Sequence, residues 1–245
     1  MGRVYRNPPM VEALCEFQFD RDTPWDVTVF GNYYNRISTD FPEKRELSQV
    51  EFAVQQNETA LAGEMRQGGV RMQFLRSDRT ALVQLAPHRL IVNQLPPYPS
   101  WEKFKELILA RLSDYRAVVP EARVHQLILR YINRFTFSAE NFTVGAAFAK
   151  SEFVPVRLRE KGAPFFLRLE MPQSVGSRLM LTLGTLESEA VDQVVVLLDV
   201  AALLAHKALD SRGFSVALDE AHECVEEVFE SSLTAALRKE FDREV

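Results

Sequence analysis

The chain has little of what announces a chemistry. Its 2 cysteines, Cys15 and Cys224, supply neither a disulfide framework nor a metal cage, and read as free thiols of a reducing cytoplasm. With 10 glycines and 12 prolines in 245 residues, mostly near expected boundaries, there is little room for a disordered linker. No apolar run approaches the ~20 residues that cross a bilayer, and the longest, Val194 to Leu204, is interrupted by Asp199. The opening Met1-Gly2-Arg3-Val4-Tyr5-Arg6 lacks a signal-peptide core, and Tyr5-Arg6 stands where a myristoylation signal wants a small hydroxyl residue. No membrane contact is therefore expected.

Catalytic signatures are missing as well. Neither a Walker A loop, a dinucleotide fingerprint nor a Gly-x-Ser-x-Gly elbow occurs. The histidines, His88, His125, His206 and His222, are far apart in sequence. His222-Glu223-Cys224 would place its side chains on different azimuths of one helix, which does not suit a shared metal. The expectation is a protein without cofactor or metal, leaning away from catalysis.

What the chain does have is a pattern used twice. Alternating strands at Val11–Phe19 and His125–Phe135 each open a half, and each is followed by further strand-like runs and a long amphipathic helix. In the first half, Thr23-Pro24-Trp25-Asp26 reads as a helix start, with Trp25, Val29, Tyr33 and Ile37 on one stripe. Strands are expected at 48–56, 70–76, 81–86 and 89–95, with turns at Gly68-Gly69, Ser77-Asp78-Arg79 and Pro87-His88. Ser100 then caps a helix carrying Trp101, Phe104, Ile108, Leu112 and Tyr115.

The second half continues through Phe137–Lys150, read as loop with a short helix, to strands at 153–159, 165–171, 178–185 and 191–198. Residues 200–209 fit strand or helix equally. A last helix runs from a Ser215 cap to Phe241, with Leu218, Ala221, Val225, Val228, Leu233 and Leu237 on its apolar stripe. The expected fold class is α+β: two helix-grip-like halves, 1–120 and 121–245, with a curved antiparallel sheet and long helices on one face. The order resembles the helix-grip or TATA-binding-protein-like arrangement; the alternative is one continuous sheet with three helices on its convex face.

Four segments together carry a family resemblance: Asn7-Pro8-Pro9-Met10-Val11-Glu12-Ala13, Asn93 to Trp101, Arg130-Tyr131-Ile132-Asn133-Arg134, and Phe229 to Thr234. They resemble a sporadically distributed family of bacterial proteins of similar length and unknown function. The resemblance implies no cofactor or activity. A patchy distribution is typical of accessory cargo such as defence and toxin–antitoxin genes.

The net charge is −5. Residues 1–120 hold 15 basic and 15 acidic side chains, whereas 121–245 hold 14 and 19. Glu223, Glu226, Glu227 and Glu230 lie on the last helix and form a candidate surface for a basic protein partner. The acidic balance disfavours nucleic acid, whose binders neutralise phosphates with Lys and Arg.

Alternation also defines a polar sheet face. It collects Glu12, Glu16, Gln18, Glu51, Gln55, Arg71, Gln73, Gln84 and Gln94, then Gln126, Arg130, Arg134, Arg168, Glu170, Arg178 and Thr182. Such a face is ordinarily the solvated side of an antiparallel sheet. As a binding floor, it would grip an anionic or hydrogen-bonding ligand through Arg130, Arg134 and Arg168, aided by Arg71, Gln73 and Gln126. Three functions remain open at this point. They are a non-enzymatic module that binds a protein partner, a nucleic-acid binder using the arginine face, and a small-ligand protein or enzyme with a sheet–helix pocket.

Overall fold

A computed structural model describes residues 5–57, 60–149, 164–174, 176–206 and 213–242. The fold is α+β with an antiparallel sheet. Its strands are β1 (Met10–Phe19), β2 (Glu43–Asn57), β3 (Ala60–Leu75), β4 (Ala81–Ala86), β5 (Arg89–Gln94), β6 (Val124–Ser138), β7 (Phe166–Ser174), β8 (Ser177–Leu186) and β9 (Gln193–Ala205). The helices are α1 (Thr28–Ile37), α2 (Trp101–Val118), α3 (Val144–Ala147), α4 (Phe214–Ser232) and α5 (Ala235–Glu240). Nine strands are hydrogen-bonded in the order β2-β3-β4-β5-β1-β6-β9-β8-β7. The chain divides into two compact units, Cys15–His125 and Met1–Leu14 with Gln126–Val245.

In the Cys15–His125 unit, α1 and α2 build the core on one sheet face. Val29, Tyr33 and Ile37 are the buried positions of α1, and Phe104, Ile108, Leu112 and Tyr115 the buried apolar and aromatic positions of α2. These spacings of three and four place one stripe inward. Tyr115 stacks on Phe19 at 4.4 Å, and Tyr33 lies 6.0 Å from the Phe74 ring, so both helices meet buried aromatic residues of the sheet. Ser100 caps α2 by accepting from the Lys103 N–H, as the sequence leads one to expect.

Two local readings are corrected here. The first helix starts at Thr28, because the Asp26 carboxylate accepts from the Thr28 N–H at 2.7 Å and from its hydroxyl; Trp25 stays outside the helix. Gly68-Gly69 is not a turn but lies inside β3, where the register jumps from Ser48↔Val70 to Val50↔Gln67. Two glycines at such an irregularity fit a bulge, which needs backbone freedom and no side chain to pack.

In the other unit, β9 answers the open question about residues 200–209 as far as they are described: the strand continues to Ala205. It pairs with β6 from Gln126↔Ala205 to Ser138↔Gln193 and with β8 from Ser177↔Leu204 to Leu186↔Val195. The expected strand at 153–159 lies outside the described residues.

The last helix is not continuous. It breaks at Leu233, which is extended and bridges Phe148, and resumes as α5 under a Thr234 cap. Both Ser231 and Ser232 turn their hydroxyls back to the Val228 carbonyl, competing with the helix backbone at the break. Gly213, not Ser215, stands at the N-terminal boundary of α4.

The Tyr115 hydroxyl is buried without a hydrogen-bond partner among the described residues. Tyr115→Phe is therefore expected to change unfolding free energy by less than about 1 kcal/mol. Phe104→Ala, which empties a fully buried site, is expected to cost about 3–5 kcal/mol. Urea unfolding of the two variants checks both.

Candidate functional site

The polar face of the Cys15–His125 unit is a network in which side chains satisfy one another. Arg71 Nη1 and Gln73 Nε2 donate to Gln84 Oε1 at 3.2 and 3.3 Å, and Gln84 Nε2 donates to Asn93 Oδ1 at 3.1 Å. Gln18 and Arg89 both reach Glu16 Oε1, at 2.7 and 3.2 Å. Burial, reinforced by the nearby Arg89 charge, holds the Arg71 guanidinium below its ordinary pKa.

One expected member belongs to the opposite face. Gln94 pairs with Ala81, on the helix-bearing side, and donates to the Thr80 and Leu95 carbonyls. Asn93, opposite Leu82, takes its place in the network and is fully buried. The side chains of Glu51 and Gln55 lie outside the described residues.

In the other unit, the arginines of the sheet face are also engaged. Arg130 grips Asp199 with both ends of its guanidinium fork, Nε to Oδ1 at 2.8 Å and Nη2 to Oδ2. The Asp199 side chain is only 5% exposed, so this is an anchored pair and not a surface contact. Asp199 had a legible signal, a lone acid in an apolar run, but its partner is visible only once β6 and β9 are in register.

Arg168 pairs with Glu170 at 2.9 Å, and Arg178 approaches the same carboxylate at 3.9 Å. Those hydrogen bonds and charges hold Glu170 below the ordinary glutamate range. Arg134 is exposed on the same face as Arg130, but four residues along a strand separate them by about 13 Å, too far to share one carboxylate. Gln126 is half-buried opposite Ala205 at the far end of β6.

The acids of α4 divide by role. Glu230 accepts from the Tyr5 hydroxyl at 2.7 and 2.9 Å and meets Arg238 at 3.4 Å, tying chain segments together within the unit. Glu226 is half-buried, and burial with the neighbouring Glu230 and Glu223 charges raises its pKa. Glu223 and Glu227 face solvent.

Beside these acids, α4 and the sheet enclose a cleft of about 260 Å³. Leu179, Ala202 and Leu204 form the floor, and Ala217 and Ala221 the helix wall. The opening exists because three alanines face one another where larger side chains would close the gap. Glu220, Glu223 and Cys224 stand along its helix side, with Gln173, Ser177 and Arg178 at the β7–β8 end. Burial and the charges of Glu227, Glu223 and Glu220 raise the Cys224 thiol pKa, which keeps it protonated and a weak nucleophile. Two residues before Cys224, His222 Nδ1 lies 3.2 Å from the Tyr131 hydroxyl.

Removing Arg130 should strand a buried carboxylate. Arg130→Ala is expected to destabilise by about 3 kcal/mol, with part of the loss recovered in the Arg130→Ala/Asp199→Ala double variant, as a denaturant cycle would reveal. Glu226→Gln should stabilise at neutral pH. A raised folded-state pKa means that the folded chain binds the extra proton, so stability falls as pH rises from the ordinary value of 4.5 through the folded-state pKa. The gain from Glu226→Gln should accordingly vanish in acid below that window, which thermal melts across pH would test. No family model and no curated protein matches this chain.

Proposed function

We propose that the protein is a non-enzymatic interaction module whose cleft between α4 and the sheet receives an apolar side chain flanked by a basic group of a protein partner. The observation that carries this reading is the 260 Å³ cleft itself, with an apolar floor and Glu220 and Glu223 at its helix side. A buried apolar anchor supplies binding energy and the acidic rim supplies charge selectivity and a faster encounter. The arginine face suits an anionic ligand less well, because Arg130 and Arg168 already hold carboxylates.

The helix-grip likeness of the two halves supports a sheet–helix cleft as the place of binding. The resemblance of the Asn7–Ala13 and Asn93–Trp101 segments to a sporadically distributed bacterial family supports an accessory role, such as a defence or antitoxin partner. The free thiols Cys15 and Cys224 fit work in a reducing cytoplasm.

An array of short peptides probed with the full chain tests this. Binders should combine Leu, Met or Phe with an adjacent Lys or Arg. Ala221→Trp, which fills the cleft, should abolish their binding, and the exposed-rim change Glu223→Lys should weaken it about tenfold at low salt. Peptides that bind both variants as well as the parent would overturn the proposal, as would an array without basic-apolar binders.

A further inference from the structure

β7 is the terminal strand of the sheet among the described residues, beyond β8. The Thr185 N–H donates to the Phe165 carbonyl, and the Phe165 N–H to the Thr185 hydroxyl, so the backbone groups of Phe165 point toward β8. Alternation then turns those of Phe166, Arg168, Glu170 and Pro172 outward, to the edge. The side chains at that edge are well exposed: Phe166 is 74% accessible, and Arg168 and Glu170 are 51% and 47% accessible.

Charged residues and proline on an edge strand ordinarily discourage pairing. Here their order makes the strand complementary to itself. When two copies run antiparallel about a two-fold axis at Leu169, Arg168 of each stands opposite Glu170 of the other. Leu167 meets Met171 and Phe166 meets Pro172 in the same register. The pairs formed by Arg168 with Glu170 bring outward-pointing backbones together, as a hydrogen-bonded antiparallel pair requires. Sliding by two residues in either direction would oppose Arg168 to Arg168 or Glu170 to Glu170, and like charges directly opposite are destabilising. Pro172 has no N–H to offer, so the ladder ends there.

We propose that two copies of this chain associate by antiparallel pairing of their β7 edges, with Leu169 at the two-fold axis. The pairing is isologous and closes after two copies. It covers Phe166 and turns the Arg168–Glu170 contact within one strand into two contacts across the interface. The proposal does not rest on the cleft, and either can fail without the other.

Cysteine cross-linking of the full chain reads the register directly. Leu169 faces its own copy as a non-hydrogen-bonded pair with Cα atoms about 4.5 Å apart, within disulfide reach. Leu169→Cys should form a disulfide-linked dimer on mild oxidation. Leu167→Cys, whose opposite residue is Met171, should not, and nor should the parent with Cys15 and Cys224. Sedimentation equilibrium should give twice the chain mass for the parent. Phe166→Glu, and Arg168→Pro, which removes an outward N–H together with the charge that meets Glu170, should raise the dissociation constant about tenfold or more. The exposed Phe166 substitution serves if the proline variant fails to fold. A single-chain mass at every concentration would overturn the proposal, showing an edge that stays unpaired or is occupied by the chain's own residues. So would a dimer indifferent to both substitutions, or cross-linking of Leu169→Cys no faster than Leu167→Cys.

Discussion

Much of the unit that carries the cleft depends on one charge in β9. Asp199 sits in a strand whose other residues after Gln193 are all Val, Leu or Ala, with β6 on one side and β8 on the other. A carboxylate so buried must be paired or hydrogen-bonded, and Arg130 meets it from β6. Slipping β9 by one residue would turn Asp199 onto the side where α4 packs and away from Arg130. The same register brings Ala202 and Leu204 beneath Ala217 and Ala221. The ion pair thus selects the alignment from which the cleft follows, whatever its net contribution to stability.

That pairing also shapes what the surface can recognise. A sheet face rich in arginine suggests affinity for phosphate, but guanidinium groups already engaged by carboxylates project much less positive potential. Arg168 shares Glu170 with Arg178, and Arg71 is embedded among Gln84, Arg89 and Glu16. On the helix side of the cleft the exposed charge is instead negative, at Glu223, while Arg178 at the β7–β8 end approaches Glu170. Glu230 belongs to the structure, since Tyr5 and Arg238 consume its carboxylate. Four acids that look alike on a helical wheel therefore differ in role because of residues far from them in sequence.

Local rules made part of this legible. The alternation of β1, the Ser100 cap and the stripe of α2 follow from periodicity and capping, which act within one element. Where the reading missed, a competing partner decided the outcome. Asp26 bonded Thr28 and delayed α1; Gly68-Gly69 met an uneven partner strand and became part of a bulge; Leu233 bridged Phe148 and broke the last helix. Gln94 and Asn93 exchanged faces because the phase of β5 is set by Ala81↔Gln94 and Leu82↔Asn93, not by its own polarity. A sheet–helix pocket was among the expectations, but its place and lining were out of reach for the same reason: alanines carry no sign that they will face other alanines.

The alanines bear directly on the binding role proposed for the cleft. Ala202, Ala217 and Ala221 come from two elements, and each is small where a larger side chain would occupy the cleft. The rest of the sheet–helix contact shows no such economy: Leu218 and Val225, on the same helix, are buried against the sheet. A gap confined to the stretch where Glu220, Glu223 and Cys224 stand combines an apolar surface with a charged rim. That combination suits an anchor whose apolar part enters and whose basic neighbour stays in water, where solvent screening limits the cost of holding the acids close together.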